Sequence, residues 1–148
     1  MLAHEFFDET VEIDEKDQLI ENLINSSKIE KTIVCNARDT IKDVYEKMIK
    51  SNHNYALVLK KDVDSKVEFN KFGVAGLLSK KIILANLLNL NCQKTDRVEA
   101  IAQGDYKALK MSDQEKHLKN SFLYHDFVLI KGLTYNDCYI LDMNVFKE

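Results

Sequence analysis

The order of short apolar runs and amphipathic segments occurs twice along the chain, and this repetition constrains the fold most. In the first half, apolar runs at 32–35, 55–59 and 73–78 are typical of buried strands. Amphipathic helical patterns follow Asp39 and Ser79, each of which we expect to cap a helix. The order strand, helix, strand, strand, helix then returns after roughly 60 residues.

The second half repeats the order in a shortened form. Its predicted strands lie at 106–109, 127–130 and 138–141. Ser112 and Glu115 have capping-box spacing, so we expect Ser112 to start the intervening helix. Asp142 is expected to cap a last helix of little more than a turn. Neither unit can bury its sheet and helices alone, so the pattern predicts an α/β fold of two packed repeats.

The 148 residues contain no proline and four glycines, so no flexible linker separates two independent domains. We therefore expect one module over 1–148, with a first repeat at 28–90 and a second at 96–148. Residues 1–27 precede the repeats as a helical extension, in which Asp14 is expected to cap a helix running to about Asn25.

Composition and charge argue against several classes of protein. The formal net charge is −3, and no Lys/Arg stripe alternates with aromatic residues, so no nucleic-acid surface is expected. No apolar stretch approaches the ~18 residues of a membrane span, and no secretory signal is recognisable. Three widely spaced cysteines indicate reduced, buried thiols and a cytoplasmic protein.

The chain begins with a strongly acidic stretch. This stretch is either the solvated start of a helix or an acidic docking surface for a basic partner. Its carboxylates are Glu5, Asp8, Glu9, Glu12, Asp14, Glu15 and Asp17.

Three pieces of the first half resemble a cystathionine-β-synthase (CBS) repeat. They are the helix start DTIKDVYEKM at 39–48, the strand YALVL at 55–59 and the strand-to-helix turn GLLSKKIIL at 76–84. The second half is similar in outline, with FVLI at 127–130 and CYILDMNVF at 138–146. The chain thus resembles a tandem CBS protein whose second repeat is divergent, which implies two β-α-β-β-α repeats packed with pseudo-twofold symmetry.

The resemblance also implies a homodimer and adenosine-type ligands bound between the repeats. In the family, the Ser or Thr of the strand-to-helix turn lies by the phosphates, and an Asp three residues later holds the ribose. Ser79 matches the first position, but Ile82 replaces the Asp. In the second repeat the matching position is Asn144 or Val145. AMP, ADP, ATP and S-adenosylmethionine therefore remain candidate ligands, and no bound cofactor is expected.

Polar residues near the predicted cleft are candidate ligand contacts. Lys80 and Lys81 bring positive charge to the helix start at Ser79, where we expect unpaired backbone N–H groups that favour an anion. Because Asp142 stands at the matching start in the second repeat, only the first-repeat cleft is expected to bind. His53, Asn54, Tyr124 and His125 either contact a ligand or hydrogen-bond locally. The candidate site consists of Thr32, His53, Asn54, Ser79, Lys80, Lys81 and His125.

No nucleophile-base motif, cofactor loop or metal-ligand spacing is recognisable, so we expect neither an enzyme nor a metal site. Two hypotheses remain. The chain is either a stand-alone sensor that binds a small anion and modulates an unidentified protein, or an interaction protein with degenerate clefts. In both, Ile83, Leu87 and Leu90 are the predicted dimer surface.

Overall fold

The computed structural model describes residues 17–147, and within them the strands form two three-stranded sheets. Asp14 and the other acidic residues before Asp17 lie outside the described residues. The helices are α1 (Ile20–Ser27), α2 (Ile41–Ser51), α3 (Lys80–Leu88) and α4 (Glu115–Ser121). The strands are β1 (Ile33–Asn36), β2 (Tyr55–Leu59), β3 (Val74–Ser79), β4 (Lys107–Lys110), β5 (Phe127–Lys131) and β6 (Tyr139–Asp142).

The two sheets have the same topology. In the first, β1 runs parallel to β2, and β2 runs antiparallel to β3. In the second, β4 runs parallel to β5, and β5 runs antiparallel to β6. The registers pair Tyr55 with Ser79 and Phe127 with Asp142. Tyr55 and Phe127 are therefore equivalent positions, as are Ser79 and Asp142, and the predicted α/β fold of two repeats is confirmed.

The segment before each sheet crosses to the other repeat. Thr32 N donates to Cys138 O at 2.9 Å, so the approach to β1 lies against the second repeat. Conversely, the approach to β4 pairs with β3, since Leu77 N donates to Gln103 O at 3.0 Å. A Cβ at Gly76 would stand 2.6 Å from Gln103 O, so this close approach requires glycine. These crossings tie the two repeats into one body.

The described residues form three apolar cores. One lies under α2 and α3 in the first repeat, one lies between the two sheets, and one lies under α1 and α4 in the second repeat. In the second repeat, α1 supplies the buried Ile20, Leu23 and Ile24 beside α4. The helix predicted after Asp142 is only the short 3-10 turn Met143–Phe146. Helix α1 thus covers surface that a longer last helix would cover.

Three helix starts differ from the sequence prediction. Thr40, and not Asp39, caps α2, because its hydroxyl accepts from Asp43 N while Asp39 accepts from Asn36 N. Helix α4 begins at Glu115 after Gln114, so the predicted cap at Ser112 is wrong. Leu19 pairs with Gln114 as an antiparallel bridge, which keeps both helices from extending further back. Helix α1 accordingly begins at Ile20, later than predicted.

Candidate functional site

A cavity of about 610 Å³ lies where the two repeats meet, and we call it the central cavity. The first residues of β2 and β5 form its floor, where the rings of Tyr55 and Phe127 pack with centroids 5.1 Å apart. The starts of α3 and of the 3-10 turn after Asp142 form its walls. Its lining consists of Asn54, Tyr55, Ser79, Lys80, Lys81, Ile82, Ala85, Gln103, Phe122, His125, Asp126, Phe127, Asp142, Met143 and Asn144.

The basic wall is built on the N-terminus of α3. Ser79 caps this helix as predicted, with its Oγ accepting from Ile82 N at 3.0 Å. Lys80 N donates to Asn54 O at 3.0 Å. Two of the first three amides of the helix therefore have protein acceptors, which corrects the expectation that these groups are unpaired. At most the Lys81 amide remains for a ligand, so the lysine side chains supply most of the attraction for an anion.

The opposite wall is acidic. Asp142 Oδ1 accepts from Asn144 N at 2.9 Å, and its Oδ2 accepts from the Tyr55 hydroxyl at 2.5 Å. Burial, followed by the hydrogen bond to Asp142, raises the pKa of Tyr55 above its ordinary value, so this hydroxyl stays protonated as a donor. Asp126 lies exposed at the rim. The sequence placed Asp142 in a separate second cleft, whereas it lines the same cavity as Ser79.

The structure brings five of the seven predicted residues together. Asn54, Ser79, Lys80, Lys81 and His125 all line the central cavity. Thr32 and His53 line an adjacent cavity of about 280 Å³ that shares Asn54 and Tyr55 with the central one.

The two residues of the adjacent cavity are occupied by local contacts. The His53 ring contacts Ser51 Oγ at 2.9 Å and Lys31 O at 3.1 Å. The Thr32 hydroxyl donates to Ile33 O and Tyr55 O, each at 3.3 Å. Both side chains thus orient the backbone around the first strand, and they have less capacity left for a ligand.

Sequence reasoning missed several lining residues. Tyr55 and Phe127 were assigned to buried strands, and their position as first residues of β2 and β5 was the signal that they face the cavity edge. Gln103 lines the cavity because its segment crosses to β3, and no local pattern predicts that crossing. Ile82, at the place of the ribose-binding carboxylate in the family, lines the cavity and also packs against two of the cores.

Among residues 17–147, no group of three or more His, Cys, Asp or Glu side chains is placed to hold a metal ion. Within the same residues, every helix is too short or too polar to cross a lipid bilayer.

Solved structures of similar fold include several CBS-domain proteins, although no protein-family model and no curated protein matches the sequence. The CBS domain protein PAE2072 from Pyrobaculum aerophilum, complexed with AMP, is 13% identical over 88% of this chain and 91% of its own, with a TM-score of 0.66. The CBS domain pair of protein MJ0100, in complex with 5′-methylthioadenosine and S-adenosyl-L-methionine, is 15% identical over 86% and 95%, with a TM-score of 0.63.

A CBS domain-containing protein from Bacillus anthracis is 18% identical over 89% of this chain and 92% of its own, with a TM-score of 0.64. Such likeness establishes the fold class. The chain has the fold of a tandem CBS pair. The resemblance noted in the sequence is therefore confirmed for the fold.

Proposed function

We propose that this chain is a regulatory CBS-pair sensor that binds an adenosine-type anion in the central cavity and thereby modulates a partner protein. The observation that carries the proposal is the cavity itself, which places a basic helix start beside two aromatic rings at the junction of the repeats. Its volume of about 610 Å³ lies in the range typical of small-molecule sites. The AMP and S-adenosylmethionine complexes of proteins with this fold support the ligand class.

The charges of the lining favour a ligand with one phosphate over a polyphosphate. Lys80 and Lys81 attract an anion, while Asp126 and Asp142 on the opposite side repel additional negative charge. Two positive charges thus face two negative charges across one cavity. A nucleoside monophosphate places its phosphate at the lysines and its neutral sugar and base elsewhere, so we expect AMP to bind more tightly than ATP.

The acidic wall also provides acceptors for hydroxyl groups. Ile82 cannot accept the hydrogen bonds that the family's Asp makes to ribose, and each such charge-assisted bond is worth roughly 1.5–3 kcal/mol. Asp142 accepts from Tyr55, and a ribose hydroxyl that replaced Tyr55 would find the same carboxylate oxygen. We therefore propose that ligand binding competes with the bond between the repeats, which gives binding a structural consequence for a partner.

Thermal unfolding of the purified protein with AMP, ADP, ATP or S-adenosylmethionine tests the proposal. A ligand at a hundred times its dissociation constant adds about 2.7 kcal/mol to the unfolding free energy, which raises the midpoint by several degrees. A Lys80→Ala/Lys81→Ala variant should lose this shift, whereas the matched control Lys60→Ala/Lys61→Ala on the exposed loop after β2 should keep it. If none of the four compounds shifts the midpoint, the proposed ligand class is wrong. The result would then favour the alternative hypothesis, an interaction protein with degenerate clefts.

We propose no catalytic activity for the module. The cavity lining contains neither cysteine nor a recognisable pair of nucleophile and base, and Ser79 Oγ is engaged in capping α3. The purified protein should leave AMP and ATP chemically unchanged. Turnover of either nucleotide that a Ser79 or His125 substitution abolishes would overturn this part of the proposal.

A further inference from the structure

Another concave surface lies between β4 and α4 of the second repeat, and we call it the basic groove. Its volume is about 250 Å³, and its lining consists of Lys107, Leu109, His117, Asn120, Ser121, Tyr124 and His125. Lys107, His117 and His125 carry basic side chains, and no lining residue is a carboxylate. Of the acids nearest in sequence, Asp105 and Asp126 line the adjoining depression, and Glu115 is buried at the start of α4. The groove therefore favours a negatively charged occupant.

The chain itself contains an occupant of matching charge. Residues 1–16 hold six of the 24 acidic residues of the protein and one of its 21 Lys and Arg residues. The same segment carries apolar side chains, among them the adjacent Phe6 and Phe7. Two exposed apolar residues follow α4 next to the groove, Leu123 and Tyr124, which are 73% and 85% exposed. An acidic segment with aromatic residues thus complements a basic groove with an apolar edge.

The described part of the chain begins next to this surface. Asp17 lies at the start of α4, where its Oδ2 accepts from Lys116 N at 3.3 Å. The seven residues of α4 span about 10 Å along the helix axis. Sixteen residues extend over at most about 50 Å, so the segment is long enough to run beside α4 to the groove. Covalent attachment also raises its effective concentration there above that of any separate acidic chain.

We propose that the acidic segment 1–16 binds within its own chain to the basic groove, with its carboxylates facing Lys107, His117 and His125. The proposal does not depend on the ligand of the central cavity. It does place the segment beside that cavity, because His125 lines both surfaces.

Paramagnetic relaxation in the full-length protein tests this contact. Cys35, Cys92 and Cys138 are buried, so a nitroxide reagent attaches selectively to a Thr10→Cys variant. Amide signals of Lys107, Asn120 and Tyr124 should broaden, while those of Asp43 and Glu46 on α2 of the first repeat should stay sharp. The broadening should disappear at about 1 M salt, where the screening length is about 3 Å. It should not change with protein concentration, because the contact forms within one chain.

Charge reversals identify the groove as the surface that is bound. A Lys107→Glu/His117→Glu variant should lose the broadening, and the control Lys61→Glu/Lys66→Glu, which changes two exposed residues of the first repeat, should retain it. A Glu9→Lys/Glu12→Lys variant leaves the groove intact and should lose the broadening as well, which excludes misfolding of the groove variant as the cause. The proposal would be overturned if the signals of the groove did not broaden or if signals elsewhere broadened more. It would also be overturned if the broadening grew with protein concentration, because the occupant would then be the segment of a second copy.

Discussion

The hydroxyl of Tyr55 donates a hydrogen bond of 2.5 Å to Asp142 Oδ2, and this bond links the two repeats across 87 positions of sequence. Tyr55 is the first residue of β2, and Asp142 is the last residue of β6. The other carboxylate oxygen of Asp142 accepts from Asn144 N, so one side chain both caps the final turn and holds the opposite repeat. The bond joins the floor of the central cavity to its acidic wall, so a ligand bound there would lie against this contact between the repeats.

Removing this hydroxyl should weaken the link between the repeats. Tyr55→Phe deletes the donor and leaves Asp142 open to water in the cavity, so we expect the unfolding free energy to fall by about 1 kcal/mol. Urea unfolding followed by circular dichroism measures the change. Tyr45→Phe is the matched control, because no hydrogen bond of the Tyr45 hydroxyl is present within residues 17–147, and it should be nearly neutral. Equal effects of the two variants would contradict the role assigned to the bond.

Local features of this fold could be predicted from sequence, since their causes lie within a few residues. Strands β2 and β5 were recognisable as continuous apolar runs, and Ser79 was recognisable as the cap of α3. Periodicity and capping depend on neighbours three or four residues away, and one sequence contains that information.

The remaining features depend on contacts that are distant in sequence. Leu19 pairs with Gln114, and this pairing sets where α1 and α4 begin, although 95 positions separate the two residues. Likewise, the crossing of Gln103 to Leu77 places an unpredicted residue in the cavity. The acidic wall was assigned to a second cleft because no local pattern shows that Asp142 and Ser79 share one space.

The crossing at Gly76 should tolerate no side chain. In Gly76→Ala, the new methyl group would stand 2.6 Å from Gln103 O and 2.7 Å from Gln103 C, so the crossing segment must shift. We expect a loss of about 1–3 kcal/mol in unfolding free energy. Gly104→Ala is the control, because its methyl group would meet Ala75 O at an ordinary 3.5 Å. Denaturant midpoints measure both variants, and a neutral Gly76→Ala would show that the repeats are not held together at this point.

Cys35 should be unreactive in the folded protein. Burial, together with the nearby Asp39 charge, raises the pKa of the Cys35 thiol from 9.0 to about 12. The folded state therefore keeps this proton at a pH where the unfolded chain releases it, so the contribution of Cys35 to stability falls as the pH rises above about 9. At pH 9, iodoacetamide should modify the native protein far more slowly than the urea-unfolded protein, as mass spectrometry of the peptide containing Cys35 would show. Equal rates would contradict the burial.

Dimer formation should involve the end of α3 and the turn that follows it. Ile83, part of the predicted surface, is fully buried in the first-repeat core, so that part of the prediction is wrong. Leu88 and Leu90 are 80% and 88% exposed, which favours a surface that pairs with a second copy. We expect a homodimer by light scattering at tens of micromolar and a monomer for Leu88→Lys. Leu133→Lys, at a residue 75% exposed in the second repeat, is the matched control and should leave the dimer intact. A wild-type monomer at that concentration would contradict the prediction.

Calorimetric titration of AMP into the wild-type protein and a Ser79→Asp variant tests the central claim most directly. Asp is a good helix cap and can still accept from Ile82 N, so the variant should fold with unchanged stability. Its carboxylate would neutralise the attraction of Lys80 and Lys81 for phosphate, so the binding heat of AMP should disappear. Ser112→Asp, at an exposed residue outside the cavity, should bind AMP as the wild type does. AMP affinity that is the same in Ser79→Asp and in the wild type would contradict binding at the central cavity.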